Sequence, residues 1–424
     1  GILMIFILLV ALILLGVPFA FAILGSLTVL MSAGDLPYHI RIVSQQFFGG
    51  MESFPLLAIP LFILAGELMN EAGITHRIIN LASAIVGRLK AGLAHVNIWA
   101  SVIFAGLSGS AIADTSALGR VFIPSMEKEG YPRDFAAALT AASSVIGPII
   151  PPSIPVIIYA LTVSGVSVPG LFLAGIVPGF LLALGLSIYV YFFAGDLSTA
   201  KVKQQSRRHA LLHGLLPALM PVFVVGAILA GIVTPTEAAA FAVVYALILG
   251  VVLYRNIKLV NLPGIFARAM RDSAVIMVIM GAVAAANWVL TFERVPNMLT
   301  EWALMSIDTQ WTFLIAVILL LLVVGLFLEG IAAILVLVPI LHPIAMALGI
   351  DPLHFGIVVI FNLMMGLITP PMGLCLFVAD SVSGVGMGPI IRRIMPMLAV
   401  QFLVLLLITF VPSLVTFLPR LAGY

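Results

Sequence analysis

Two stretches of the chain share one unusual pattern. Residues 147–152 read Gly-Pro-Ile-Ile-Pro-Pro and residues 366–371 read Gly-Leu-Ile-Thr-Pro-Pro, each inside a long apolar run. Proline lacks an N–H and its ring clashes with the preceding turn, while the residue before it is pushed out of the helical region. A helix must therefore open at both places and free main-chain carbonyls. In a buried cavity such carbonyls are natural ligands for a bare monovalent cation. Hydroxyls that can complete the shell stand close by in sequence: Ser108, Ser110 and Ser144 for the first break, Thr369 for the second. One Pro-Pro pair alone reads as a kink. Two at matched positions, each following a tight glycine-containing turn, argue for paired sites.

Acidic residues at membrane depth are candidates for function, or else caps and structural pairs. Asp114 follows the first turn, Glu329 lies in the second, and Asp380 ends the second broken helix. The positive dipole ends of half-helices would add an attraction for an anion. Asn287 and Asn362 read as interhelical glue. Pro235-Thr236-Glu237-Ala238 reads as a capped helix start. His342 and His354 have no second ligand at a metal spacing. The one cysteine, Cys375, admits no intrachain disulfide and reads as a small apolar residue. Phosphate-binding glycine loops, paired catalytic carboxylates and nucleophile elbows are absent from the sequence. It therefore points away from an enzyme, from ATP hydrolysis within this chain and from nucleic acid.

The elements that must position these residues are membrane helices. Of 424 residues, 63% are hydrophobic and 8% charged, with mean hydropathy +1.27. A soluble domain carries about 25% charged residues, so this surface must face a lipid bilayer. A crossing needs roughly 20 apolar residues. Apolar runs stand near 2–32, 53–72, 94–108, 110–125, 134–163, 170–194, 211–232, 236–254, 273–292, 311–328, 330–348, 354–380 and 394–418. The first has no basic leader and is long enough to span, so no cleavable signal peptide is expected. Amphipathic stretches at 75–90 and 256–271 are expected to lie along the interface as arms.

The pairs 94–108/110–125 and 311–328/330–348 are joined by tips, Ser108-Gly109-Ser110 and Phe327-Leu328-Glu329-Gly330, too tight and apolar for water-exposed turns. Both read as re-entrant hairpins, with irregular backbone tolerated against protein or a wet cavity. If the N-terminus is cytoplasmic, the segments 73–92, 120–133, 196–208, 255–271 and 384–393 face the cytoplasm and hold 16 of the 19 Lys and Arg residues. That asymmetry follows the positive-inside rule and leaves the C-terminus periplasmic. The outer face then carries the loop 33–51 and the polar segment 293–310 with Glu293, Arg294, Glu301 and Asp308.

Residues 147–166 and 366–385 are identical at nine of twenty positions at a constant offset of 219. Gly106-Leu107 pairs with Gly325-Leu326, and Pro124 with Pro343, at the same offset. The hairpins enter from opposite sides, so the repeats are inverted, as in many secondary transporters. The expected fold is an all-α polytopic membrane protein, each inverted repeat holding a re-entrant hairpin and a broken helix. The expected division is scaffold and first arm at 1–92, transport repeat 1 at 93–165, scaffold and second arm at 166–310, transport repeat 2 at 311–385, and a C-terminal scaffold helix at 386–424.

The segments LLGVPFAFAIL, LAIPLFILAGELMN, GLSGSAIADTSALGRVFIPSMEKEGYP, IGPIIPPSIP, GIVTPTEAAAFAVVYA and GLFLEG with GLITPPMG resemble the large membrane subunit of tripartite ATP-independent periplasmic (TRAP) transporters. The resemblance runs from about residue 2 to the C-terminus. It implies a bacterial inner-membrane symporter that imports a small organic anion, mostly a carboxylate, on a sodium gradient by an elevator motion. It implies a small four-helix membrane subunit, expected here as a separate chain, and a periplasmic binding protein. Coupling sodium ions would be its only bound metal, with no further cofactor. Carried onto matching positions, one sodium site would use Ser108, Gly109, Ser110, Gly147, Ile150 and Pro152. The other would use Gly325, Gly330, Gly366, Thr369, Pro370 and Met372. The substrate cavity would draw on Asp114, Ser153, Glu329 and Pro371. A stand-alone sodium/carboxylate symporter is the alternative within the class. It often carries Ser-Asn-Thr at both tips, where this sequence has Ser-Gly-Ser and Leu-Glu-Gly. An intramembrane enzyme and an ion channel are the alternatives outside it.

Overall fold

The computed structural model describes residues 2–33, 40–52, 54–194, 207–326, 328–370 and 373–424; all the regular structure among them is helical. The first apolar run forms two helices, α1 (Ile2–Leu14) and α2 (Phe19–Ala33), where one was expected. Gly16 turns the chain between them at φ +88°, and Pro18 cannot continue the ladder. A short α3 (Arg41–Gly49) occupies the segment read as an outer loop, and α4 (Ala58–Glu71) is followed by α5 (Thr75–Val86), the first amphipathic arm.

The first hairpin is α6 (Gly92–Ser108) and α7 (Ala111–Lys128). The first broken helix is α8 (Arg133–Ser144) and α9 (Ile154–Thr162), parted by the turns of residues 145–153. Then come α10 (Val168–Phe193), α11 (Arg207–Leu229), α12 (Pro235–Leu247) with a π-helical extension to Leu253, and α13 (Leu262–Phe292). The stretch 256–271 is not a separate arm: after one 3₁₀ turn it runs into α13, a continuous 31-residue helix. The segment 293–310, read from the sequence as outer, holds α14 (Val295–Ser306), with Trp302 and Met305 exposed. The second hairpin is α15 (Gln310–Gly325) and α16 (Gly330–Ala347), and the second broken helix is α17 (Pro352–Met365) and α18 (Leu374–Ser383). The chain ends in α19 (Met387–Phe410) and α20 (Ser413–Leu421), parted at Pro412.

The repeat is wider than the conserved-looking segments suggest. α7 and α16 begin and end 219 residues apart, and α5/α14, α6/α15, α8/α17, α9/α18 and α10/α19 begin within one residue of that offset. The core of the hairpin unit is an equivalent pair. Every residue of α8 from Phe135 to Ser144 is buried, as is every residue of α17 from His354 to Met365. A helix buried all round needs no apolar stripe, and the alanines of α8 let neighbouring backbones come close, as small residues do in membranes.

The repeats interlock crosswise. α18 packs on α7 and α8 of the first repeat, and its counterpart α9 packs on α16 and α17 of the second. Arg133 Nε donates to the Ser383 carbonyl at 2.7 Å, joining the two repeats directly. α10 and α19 pack on each other and on this unit, with Arg393 paired to Asp134 at 3.3 Å. A second set of contacts holds α4 to α12 and α13: Arg268 pairs with Glu67 at 3.6 Å and Glu71 at 3.1 Å, and Asn256 donates to the Ala72 carbonyl at 2.8 Å.

Candidate transport site

Each hairpin tip lies against the break of its own repeat. In the first, Gly109 closes α6 in the left-handed region at φ +63°, and its N–H bonds to Ala105 O. Ser110 then caps α7, its Oγ accepting the Ala113 N–H at 3.3 Å. A Cβ on residue 109 would lie 3.4 Å from the Pro152 carbonyl, so tip and break meet there. Gly147 opens the break beside the α7 N-terminus. A Cβ there would lie 2.7 Å from Asp114 Oδ2 and 3.1 Å from Ser144 O. Only glycine lets that backbone approach the fully buried Asp114. The second repeat makes the equivalent contact more tightly. A Cβ on Gly366 would lie 2.9 Å from Gly325 O, the carbonyl ending α15.

The breaks are turned backbone, not frayed helix. Ser153 bridges the first: it caps α9 by accepting the Val156 N–H and donates to Pro148 O at 2.5 Å. Ile150 hydrogen-bonds back to Ile146 O and packs on Gly179 of α10. Ser144 Oγ donates to Thr140 O at 2.6 Å, a bond of the same kind as that of Thr369 across the second break. Across the second break, Cys375 N–H donates to Leu367 O at 2.9 Å, and Thr369 Oγ1 donates to Met365 O at 2.6 Å. A hydroxyl that donates once still offers oxygen lone pairs, so Thr369 keeps its capacity as a ligand.

One cavity of about 910 Å³ joins the two repeats. Gly109, Ser110, Pro148 and Ile154 reach it from the first, and Glu329, Gly330, Met364 and Leu367 from the second. Glu329 lines it from the N-cap position of α16, where its side chain makes no cap hydrogen bond. Asp114 and Ser153 are not on the wall: the first is packed behind the tip, the second is inside the break. Pro371, Met372 and Phe327 lie outside the described residues, as does the side chain of Ser108. Pro370 belongs to the second break without reaching the cavity wall.

Several other candidates have structural roles. Asp380 accepts the Gly386 N–H at 2.8 Å, and Thr234 with Glu237 forms a capping box. Asn362 donates to Ile318 O across α17 and α15, as glue between helices should. The sequence reading missed the far half of the cavity, lined by Glu67, Asn70, Ser116, Arg120, Asp272 and Ser381. Arg120 was assigned there to a cytoplasmic segment. Its spacing from Ser116 and Ala113, one face of α7 below the tip, was the signal that could have placed it.

An inverted repeat of hairpins and broken helices around one shared cavity is the architecture of many secondary transporters. The family described as "Tripartite ATP-independent periplasmic transporter, DctM component" matches residues 6–414. The sialic acid TRAP transporter large permease protein of Vibrio cholerae is 41% identical over 389 residues, covering 91% of each chain. The C4-dicarboxylate large permease of Pseudomonas aeruginosa is 38% identical over 402 residues, covering 94% of this chain and 93% of its own. The crystal structure of the Alcanivorax borkumensis YdaH transporter has the same fold, with a TM-score of 0.66 at 18% identity over 95% of this chain and 99% of that one. The chain belongs to the DctM family, the large membrane component of TRAP transporters.

Proposed function

We propose that this chain imports a small organic carboxylate across the bacterial inner membrane by sodium symport, receiving it from a periplasmic binding protein and working with a small membrane subunit. The observation that carries the reading is the duplicated contact of hairpin tip with broken helix, Gly109 on Pro152 and Gly325 on Gly366, around one shared cavity. A sodium ion at each contact would draw on carbonyls that the prolines keep out of helical bonding. At the first, the buried Asp114 beside Gly147 adds negative charge; at the second, Thr369 adds an oxygen.

The cavity runs from the tips to the membrane face bearing the basic arm. Glu67 and Asn70 lie in the last turn or so of α4, Asp272 about three turns into α13, and Ser381 in the last turn of α18. With the charge asymmetry setting that face in the cytoplasm, the state is inward-open. The moving body in this reading is the two repeats together with α10 and α19, which pack on them and so depart from the scaffold to which 166–310 and 386–424 were expected to belong; α4, α5, α11, α12 and α13 would stay fixed. Related large permeases are named for sialic acid, C4-dicarboxylates and 2,3-diketo-L-gulonate, which are carboxylates, and one for the sulfonate isethionate; all are small organic anions, and the carboxylates are the commoner class.

The test is transport in proteoliposomes holding the chain and its small subunit, with sodium and binding protein each present or omitted. Uptake should need both and should rise with sodium more steeply than for a single ion. Full-rate uptake without sodium, or without the binding protein, refutes the corresponding half of the reading.

A further inference from the structure

We propose that Arg120 grips the carboxylate of the transported anion from the wall of the moving hairpin unit; this rests on the anion-transport reading above. Arg120 is the single cationic side chain among the described residues that line the cavity. It is exposed and makes no hydrogen bond or ion pair among the described residues. A guanidinium on a cavity wall with no acid of its own is matched to a planar anion, which its fork can hold through two parallel N–H···O bonds.

Its position suits a cargo held between two attractions. Ala113, Ser116 and Arg120 face the cavity from α7 at spacings of three and four residues, forming one stripe down the wall. Arg120 lies ten residues from the Ser110 cap, about 15 Å along the axis. Helical side chains lean toward the N-terminus, so the fork reaches back toward the tip. An anion there lies between the positive N-terminal ends of α7 and α16 and the guanidinium.

The facing wall is acidic. Glu67 and Asp272 line it from α4 and α13, and Arg268, which pairs with Glu67, is shared with Glu71. The anion is thus held to the hairpin side and repelled by the fixed side. A cargo seated on Arg120 leaves with the hairpins when they move.

The test measures binding of N-acetylneuraminate and of succinate to the full chain purified in sodium, each acid against its uncharged methyl ester, by titration calorimetry and thermal unfolding. The wild-type chain should bind at least one acid and prefer it to the ester. Arg120→Ala should weaken that acid roughly 10- to 100-fold and leave the ester unchanged, erasing the preference. Arg120→Lys should recover part of it, and sodium alone should stabilise all three proteins equally. If Arg120→Ala keeps the preference for acid over ester, the assignment is wrong and the anion reading stands. The same follows if it weakens acid and ester alike or loses the sodium effect, since that is structural damage. A wild-type chain that binds neither acid overturns both.

Discussion

Replacing Gly366 with alanine tests whether the tip and the break form an ion site. The new methyl would sit 2.9 Å from Gly325 O and 3.1 Å from Leu363 O, where ordinary contacts begin at 3.4 Å. Both neighbours are backbone, so neither can rotate away. Relief must come from the second hairpin tip backing off the second broken helix. Forcing extra volume into a packed interior costs about 1–3 kcal/mol. If sodium needs that contact closed, the cost appears as weaker ion binding, roughly 5- to 150-fold at 1.4 kcal/mol per decade. The assay is the sodium dependence of uptake in proteoliposomes, with thermal unfolding to confirm the fold. Gly226→Ala, where the methyl meets nothing within 4 Å, should leave both unchanged. Gly147→Ala, 2.7 Å from Asp114 Oδ2, should behave like Gly366→Ala. A folded Gly366→Ala protein whose half-saturating sodium stays within about twofold of wild type would show that this contact holds no coupling ion.

Three further outcomes are expected. Thr369→Ala and Ser110→Ala each remove a hydroxyl oxygen at a break or tip, so half-saturating sodium should rise about tenfold, the scale of a hydrogen bond to a charged group, with the fold kept; unchanged sodium curves would remove these residues from the ion shells. A cysteine pair at 119 and 382, joining α7 to α18 where Gly119 faces Val382, should cross-link without loss of transport. A pair at 106 and 221, joining α6 to α11, should arrest it, and continued transport there would count against a sliding body. Reversing Glu301 or Asp308 on the outer face should slow uptake at low binding-protein concentration and recover at high, because rim charges act mainly on association; a defect that persists at saturation would place the docking surface elsewhere.

The hairpins and breaks were legible because proline and glycine act locally: a Pro-Pro pair inside an apolar run opens a helix whatever surrounds it. The inverted repeat was legible for the same reason, since the matching positions are those where backbone, not side chain, is constrained. Elements set by tertiary contact were harder. α3 and α14 are short and mixed in character, and the amphipathic stretch 256–271 runs on into α13, where Arg268 pairs with Glu67 and Glu71 on a helix almost 200 residues earlier, a partner its own sequence does not show. The candidate residues divided by the same rule. Gly109, Gly325 and Gly366 stand where their spacing put them, while Asp114 and Ser153 face protein because whole-helix rotation decides which side of a broken helix meets the cavity. Arg120 was counted as a cytoplasmic charge because charge placement along the sequence does not show which face of α7 borders the cavity.

The matching of α7 with α16 at both ends, and of the starts of five other helix pairs to within one position, means that one template has been threaded through the bilayer twice, once in each direction. If the inward-open state proposed above is right, each half displays the shape its sibling adopts in the outward one. Exchanging the internal geometry of residues 75–193 with that of 295–410 would then turn the inward opening into an outward one, so that the difference between the halves would record both ends of the proposed cycle.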